Sequence, residues 1–169
     1  MEKVWHTIAP VFDEKCRILL LGSMPSPKSR ETGFYYGHPQ NRFWRVLAEV
    51  LGEKKPEDIA AKKKMVLRHH IALWDVLAEC EIEGASDSTI KNPKINDMSV
   101  ILANAPIKAV FATGAKAAEL YQKLRRKEWP ECIKLPSTSA ANAAYSLNKL
   151  CGSYRVILRY LEDEDVNTV

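Results

Sequence analysis

The chain has 169 residues, 46% of them hydrophobic and 27% charged, which is enough for one α/β domain over residues 1–169 with a buried core. This balance excludes an intrinsically disordered chain, and the net charge of +4 permits an anionic partner without requiring one. The N-terminal residues lack an apolar leader, and no apolar run is long enough to cross a bilayer, so we expect a cytoplasmic protein.

Four short, mainly apolar runs have the character of buried parallel strands, and each ends at a turn or polar residue. They cover residues 16–21, 71–74, 107–112 and 132–135. Segments with helical spacing separate them, at residues 41–51, 56–69, 97–104, 115–126, 140–150 and 153–161, and the acidic run 162–165 is predicted to be a frayed end.

Strands that alternate with helices predict a parallel sheet covered on both faces, a three-layer α/β/α fold with four central strands. In such folds ligands bind beyond the carboxyl ends of the strands. We therefore expect the residues that follow the four strands to surround one opening, namely 22–26, Asp75, Thr113 and 136–139.

The connection after the first strand is long, rich in glycine and proline, and contains three consecutive aromatic residues at 34–36. A loop of this length without regular structure is more often functional than incidental. An aromatic ring in such a loop could stack on a base that has been rotated out of a duplex. The alternative is that Phe34, Tyr35 and Tyr36 pack the loop onto the domain, and we expect this for at least one of them.

Two motifs in this connection resemble the hypoxanthine-DNA glycosylase branch of the uracil-DNA glycosylase superfamily. They are Gly-Ser-x-Pro-Ser at residues 22–26 and Gly-Phe-Tyr-Tyr-Gly-His-Pro-x-Asn-Arg-Phe-Trp at residues 33–44. The similarity continues through residues 73–77, 111–117 and 135–139, and parts of it are shared with the mismatch-specific uracil glycosylases. The resemblance implies a four-stranded parallel sheet between helices and a monofunctional enzyme that hydrolyses the bond between a base and deoxyribose.

The resemblance also implies an unusual position for the polar residue that handles the attacking water. In the uracil branches an Asp or Asn occupies the position of Met24, whose thioether cannot do this work. Attention then moves to Asn41, whose amide can donate and accept hydrogen bonds. The residue pattern alone fits a helix cap at Asn41 equally well, and the resemblance favours catalysis.

Asp75 follows the second predicted strand, at the position where the related uracil enzymes place a residue that contacts the edge of the base. A carboxylate accepts hydrogen bonds, and hypoxanthine offers an N1–H that adenine lacks. A turn or cap role for Asp75 is the alternative. We expect the remaining base contacts from residues around the same opening: Gly22, Ser23, Met24, Pro25, Phe34, Tyr36 and Thr113.

The second superfamily motif is normally His-Pro-Ser, and here Leu135 replaces the histidine, which argues against classical uracil chemistry. The hydroxyl residues that follow precede a predicted helix, so they could bind a phosphate or act as ordinary caps. The DNA contacts predicted here are Ser26, Lys28, Arg30, Ser137, Thr138 and Ser139, and Arg42 is a further candidate on the first loop.

The four cysteines form no CxxC pair and the four histidines are scattered, so we expect no metal and no cofactor. The function that the sequence favours is excision of hypoxanthine from DNA by a monomeric enzyme. A mismatch-type uracil glycosylase and a damaged-DNA-binding protein without catalysis are the alternatives.

Overall fold

A computed structural model describes residues 1–162, so residues 163–165 of the predicted frayed end lie outside the described residues. The described strands are β1 (Glu2–Trp5), β2 (Ile18–Gly22), β3 (Ile71–Asp75), β4 (Leu77–Glu83), β5 (Ser86–Ile95), β6 (Ala109–Thr113) and β7 (Cys132–Leu135). The described helices are α1 (Pro27–Thr32), α2 (Phe43–Leu51), α3 (Ile59–Arg68), α4 (Ser99–Leu102), α5 (Ala115–Leu124), α6 (Leu147–Tyr154) and α7 (Ile157–Leu161).

The central sheet is parallel, has four strands in the order β3-β2-β6-β7, and confirms the predicted fold class. Every residue of β2 and of β3 is buried, as their continuous apolar sequences require. Helix α3 packs against β3, α5 against β6 and β7, and α7 against β2. The four strands predicted from apolar runs are therefore the four strands of this sheet.

A second sheet was not predicted. It is antiparallel, has the order β1-β4-β5, and joins the N-terminal residues to the segment that follows β3. The apolar residues of β4 alternate incompletely with acidic ones, and β5 is mostly polar, so neither has the continuous apolar run of a buried strand. This sheet matters for the site because it places two titratable side chains, His6 directly after β1 and Asp87 on β5, near the carboxyl ends of β2 and β3.

Two predicted segments differ from the structure. The first loop contains the short helix α1, which Ser26 caps by accepting a hydrogen bond from the Ser29 amide, with Pro27 at its first position. The helix predicted at residues 140–150 is wrong over its first half, because α6 begins only after its cap, Ser146.

The parallel sheet fixes the position of the site. Gly22 and Asp75 are register partners at the carboxyl ends of β2 and β3, and Thr113 ends β6 beside them. The chain beyond Asp75 is held by the Asn96 side chain, which donates to the carbonyls of Asp75 and Leu77. None of the helices described for residues 1–162 combines the length and the apolar character that a membrane span requires.

Candidate functional site

A cavity of about 360 Å³ opens at the carboxyl ends of the parallel strands, where ligands of such sheets bind. All but four of the residues predicted from the sequence as site residues line it, the exceptions being Phe34, Lys28, Arg30 and Arg42. These lining residues are Gly22, Ser23, Met24, Pro25, Ser26, Tyr36, Asn41, Asp75, Thr113, Ser137, Thr138 and Ser139. The structure thus gathers residues that are far apart in the sequence around one opening.

Asp75 is a buried carboxylate with one oxygen bound to the protein. Its Oδ2 lies 2.8 Å from Nε2 of His6, and the two side chains are only 6% and 3% exposed. No other hydrogen bond to the Asp75 carboxylate is found among residues 1–162. Its Oδ1 lies over the end of β2 beside Gly22 and is the acceptor left for a molecule in the cavity.

Because Gly22 has no side chain, the Asp75 carboxylate can occupy the space beside it. A Cβ at residue 22 would stand 2.5 Å from Oδ1 of Asp75 and 3.3 Å from the hydroxyl of Tyr36. Real side chains do not approach this closely, and both neighbours are held by hydrogen bonds of their own. A residue with a side chain at position 22 must therefore displace Asp75 from the cavity.

We predict that Gly22→Ala lowers ligand binding or turnover at this cavity by at least about 10-fold, because the Asp75 carboxylate loses its position. Gly152→Ala is the matched control, since a Cβ there meets nothing within 4 Å and Gly152 lies within helix α6. Steady-state assays and thermal unfolding of both variants test the prediction. An active Gly22→Ala protein would show that Asp75 does not need its observed position.

Asn41 lines the cavity two residues before the start of helix α2. Its Oδ1 accepts hydrogen bonds from the Phe43 amide at 2.9 Å and from Oγ1 of Thr138 at 2.8 Å. Because an amide N–H can only donate, the bond from Phe43 fixes which end of the Asn41 amide is oxygen. Both lone pairs of Oδ1 are then used, and Nδ2 has no protein partner among residues 1–162. Asn41 therefore satisfies the first amide of the helix from one residue ahead of the N-cap, Arg42, and still offers a donor at the cavity.

The three consecutive aromatic residues have different positions. Tyr36 lines the cavity, its ring stacks on Phe43 with centroids 3.8 Å apart, and its hydroxyl lies 2.9 Å from Oγ1 of Thr113. Burial and, secondarily, the charge of Asp75 raise the pKa of Tyr36, so the hydroxyl is neutral near pH 7. Since Thr113 donates to the carbonyl of Leu21, the Tyr36 hydroxyl is the donor to Thr113.

Phe34 does not reach the cavity, so its predicted base contact has no support in the structure. Its ring is 2% exposed and stacks with Trp44 at a centroid distance of 6.0 Å. Tyr35 is equally buried, although it contacts the cavity wall, and its hydroxyl donates to the carbonyl of Ala9 at 3.0 Å. Packing is therefore the role of Phe34, as we expected for at least one of the three aromatic residues.

The hydroxyl residues 137–139 line the cavity, but no helix starts behind them. Oγ of Ser137 accepts from the Ser139 amide and Oγ of Ser139 accepts from the Ala141 amide, which are local turns. Thr138 is buried and holds Asn41. The phosphate site predicted from a helix N-terminus is therefore wrong in its premise, because α6 begins at Leu147.

Arg42 explains why residues 138–145 are not helical. Its guanidinium donates to the carbonyls of Thr138, Ser139, Asn142 and Tyr145, and its own amide donates to Thr138. Carbonyls that bind the same guanidinium must all face it, and this holds the chain in a loop around the Arg42 side chain instead of a helix. The side chain predicted as a phosphate contact thus holds one wall of the cavity.

Two further predicted DNA contacts lie away from the cavity. Lys28 is on helix α1, where its Nζ is 3.6 Å from the Glu31 carboxylate, and Arg30 is on the same helix. Neither residue lines the cavity, so contact with a phosphate requires DNA that extends past the opening. Ser26, the cap of the same helix, does line it.

Asp87 is a cavity residue that the sequence analysis missed. It lies on β5 and both of its carboxylate oxygens accept from Oγ of Ser23, at 3.1 and 3.0 Å. Burial raises the pKa of the Asp87 carboxyl, the bond from Ser23 opposes this rise, and the charge of Asp75 adds to it. The Gly84-Ala85 turn, between a half-apolar and a mostly polar segment, was the sequence signal for this hairpin.

A raised pKa means that folding penalises the charged form of Asp87. The wild-type protein should therefore become less stable as the pH rises from 3.8, the ordinary pKa of an aspartate side chain, through the raised pKa of Asp87. Asp87→Asn should therefore be more stable than wild type at pH 7, by a margin that shrinks towards pH 4. Urea unfolding across this pH range measures the margin, and a margin that grows towards acid would contradict the assignment.

The sequence model of the family described as "Uracil DNA glycosylase superfamily" matches residues 9–162. A Methanosarcina acetivorans protein named hypoxanthine DNA glycosylase is 40% identical over 141 residues, covering 82% of this chain and 89% of that relative. A Methanosarcina barkeri protein of the same name is 38% identical over 135 residues, covering 79% and 85%. A solution NMR structure of a candidate uracil DNA glycosylase from Methanosarcina acetivorans has a TM-score of 0.80 at 36% identity, covering 94% of this chain and 98% of that chain.

Proposed function

Because the chain belongs to the uracil DNA glycosylase superfamily, we propose that it hydrolyses the N-glycosidic bond of hypoxanthine in DNA. The names of the two similar Methanosarcina proteins support this choice of base. The observation that carries the proposal is one cavity with a free carboxylate oxygen on Asp75 and a free amide donor on Asn41. An acceptor and a donor of this kind suit a base that must be recognised at one edge and released with its bonding electrons.

The Asp75 carboxylate is proposed to recognise deamination. Deamination of adenine to hypoxanthine converts N1 from an acceptor to an N–H donor, and Oδ1 of Asp75 would accept that hydrogen. Adenine would instead place a lone pair against the carboxylate, and an unpaired acceptor in a closed site is strongly disfavoured. Guanine also has an N1–H, but its firm pairing with cytosine makes rotation out of the duplex more costly than for a mismatched base.

Tyr36 is proposed to support the flat face of the base. One face of its ring is covered by Phe43, and the residue lines the cavity, so the opposite face is the one available for stacking. The backbone at Tyr36 has a φ of 53°, in the left-handed region that residues other than glycine rarely adopt. Such a conformation is typical of residues whose placement matters at a site.

In the reaction itself, the bond between C1′ and the base nitrogen breaks, and its electron pair leaves with the base. Water then adds to C1′ of the oxocarbenium-like sugar, and its proton ends on the departing base nitrogen, so that the products are neutral hypoxanthine and an abasic deoxyribose with a hydroxyl at C1′. Nδ2 of Asn41 is proposed to donate to the departing base or to orient the water oxygen. Met24 lines the same cavity and offers neither a donor nor a base.

We propose that the enzyme works on DNA as a monomer. Residues Ser26, Ser137 and Ser139 at the rim of the cavity are the proposed contacts to the strand. All four cysteines are free thiols, which suits a reducing compartment such as the cytoplasm.

Duplexes that contain a single hypoxanthine, uracil, xanthine or adenine, incubated with enzyme in excess, test the function. We expect abasic sites from hypoxanthine and none from adenine. Uracil also presents an N–H to a carboxylate, and faster release of uracil from G·U pairs would favour a mismatch-type uracil glycosylase instead. Binding to all damaged duplexes without abasic sites would indicate a protein that has lost catalysis.

A further inference from the structure

His6 lies directly after β1 and touches the carboxylate on which the proposed base recognition depends. It precedes residues 9–162, the segment that matches the family. Strand β1 pairs antiparallel with β4, and the His6 amide extends this pairing by donating to the carbonyl of Ala78 at 2.7 Å. The sheet missed from the sequence therefore determines where the imidazole stands.

The His6 imidazole is fixed in place by two aromatic rings and by the Asp75 carboxylate. Its ring packs edge-on to Trp74 at a centroid distance of 6.5 Å and lies 6.1 Å from the ring of Tyr35. Its Nε2 is 2.8 Å from Oδ2 of Asp75, and both side chains are withdrawn from solvent. A carboxylate buried in this way is costly unless it is hydrogen-bonded, and His6 supplies the bond.

The carboxylate of a free aspartate rotates easily about its last torsion angle, so either oxygen could face a ligand. A hydrogen bond to one oxygen removes this freedom and aims the other oxygen in a fixed direction. Orientation of a recognition group before binding contributes directly to rate and affinity. In this protein the fixed oxygen is Oδ2, and Oδ1 remains for the cavity.

We propose that His6 is a positioning residue that orients the Asp75 carboxylate towards the N1–H of the base. The proposal rests on the function proposed above, and it makes the antiparallel sheet part of the recognition site. It predicts that the loss of the imidazole costs activity only through Asp75.

Single-turnover release of hypoxanthine is compared among wild type, His6→Ala and His6→Gln. We expect His6→Ala to be slower by about 10- to 100-fold, the range for loss of a hydrogen bond to a charged group. The Gln amide nitrogen can occupy the place of Nε2, so His6→Gln should return to within about threefold of wild type. His69→Ala is the matched control, because His69 also bonds a carboxylate, that of Glu53, and neither lines the cavity.

A double-mutant cycle with Asp75→Ala separates positioning from general damage to the fold. The proposal requires that His6→Ala slow the wild-type background and leave the Asp75→Ala background unchanged. Equal slowing in both backgrounds, or a His6→Ala rate within about twofold of wild type, would overturn it. A wild-type protein that releases no hypoxanthine would instead refute the proposed function, and with it this role of His6.

Discussion

Asn41→Asp is expected to slow hypoxanthine release by about 100- to 1000-fold, the usual cost of removing one donor aimed at developing charge. The substitution is chosen because it separates two roles of one side chain. Oδ1 of Asn41 accepts from Phe43 and Thr138, and an aspartate oxygen can accept the same two bonds. Only the Nδ2 donor is lost, so helix α2 should remain capped.

Asn41→Ala removes both roles and provides the comparison. It should lose activity to a similar extent, and it should also lose about 1 kcal/mol of stability, because the cap and the bond from buried Thr138 disappear. Single-turnover rates and urea unfolding measure the two effects separately. If Asn41→Ala releases hypoxanthine at the wild-type rate, then Asn41 is a helix cap alone.

Asp75→Asn is expected to slow hypoxanthine release by about 100-fold and to reduce the preference for hypoxanthine over adenine. The bond from Nε2 of His6 determines the direction of this change. A donating Nε2–H holds the oxygen of the new amide, so the amide nitrogen must take the place of Oδ1 at the cavity. A donor there opposes the N1–H of hypoxanthine and suits the N1 lone pair of adenine.

The control for this prediction is Asp58→Asn, which changes a carboxylate at the start of α3, away from the cavity. Asparagine caps helices as well as aspartate does, so the control should retain both stability and activity. Rates on hypoxanthine and adenine duplexes are measured for each protein. Retention of the wild-type preference by Asp75→Asn would show that another group recognises the base.

Those parts of the fold that depend on burial could be predicted from the sequence. A parallel strand buried on both faces needs a continuous apolar run, and the residues of β2 and β3 provide one. The end of each such strand must lie at the same edge of the sheet, which is why Gly22, Asp75 and Thr113 were expected together. Their actual proximity follows from the register of β2 with β3 and β6.

The antiparallel sheet could not be predicted in the same way, and two contacts to cavity residues depend on it. His6 is 69 residues from Asp75, and Asp87 is 64 residues from Ser23. An isolated histidine after a short polar strand, or an aspartate in a polar hairpin, gives no local signal of either contact. Their roles exist only after β1 and β5 have paired with β4.

The helix predicted at residues 140–150 failed for a related reason. Its alanines favour a helix, but the carbonyls of Ser139 and Asn142 are bound by Arg42, which is about 100 residues away in the sequence. Ser137 and Ser139 add turns that compete with helical hydrogen bonds. Tertiary contacts therefore override local propensity at the wall of the cavity.

The most direct measurement is chromatographic detection of the free base after a single turnover on a duplex with one deoxyinosine. We predict one molecule of free hypoxanthine for each abasic site, with the strand intact until alkali is added, and a rate that depends on Asn41 and Asp75. An unchanged duplex with enzyme in excess, or strand cleavage without release of hypoxanthine, would contradict a hydrolytic hypoxanthine glycosylase.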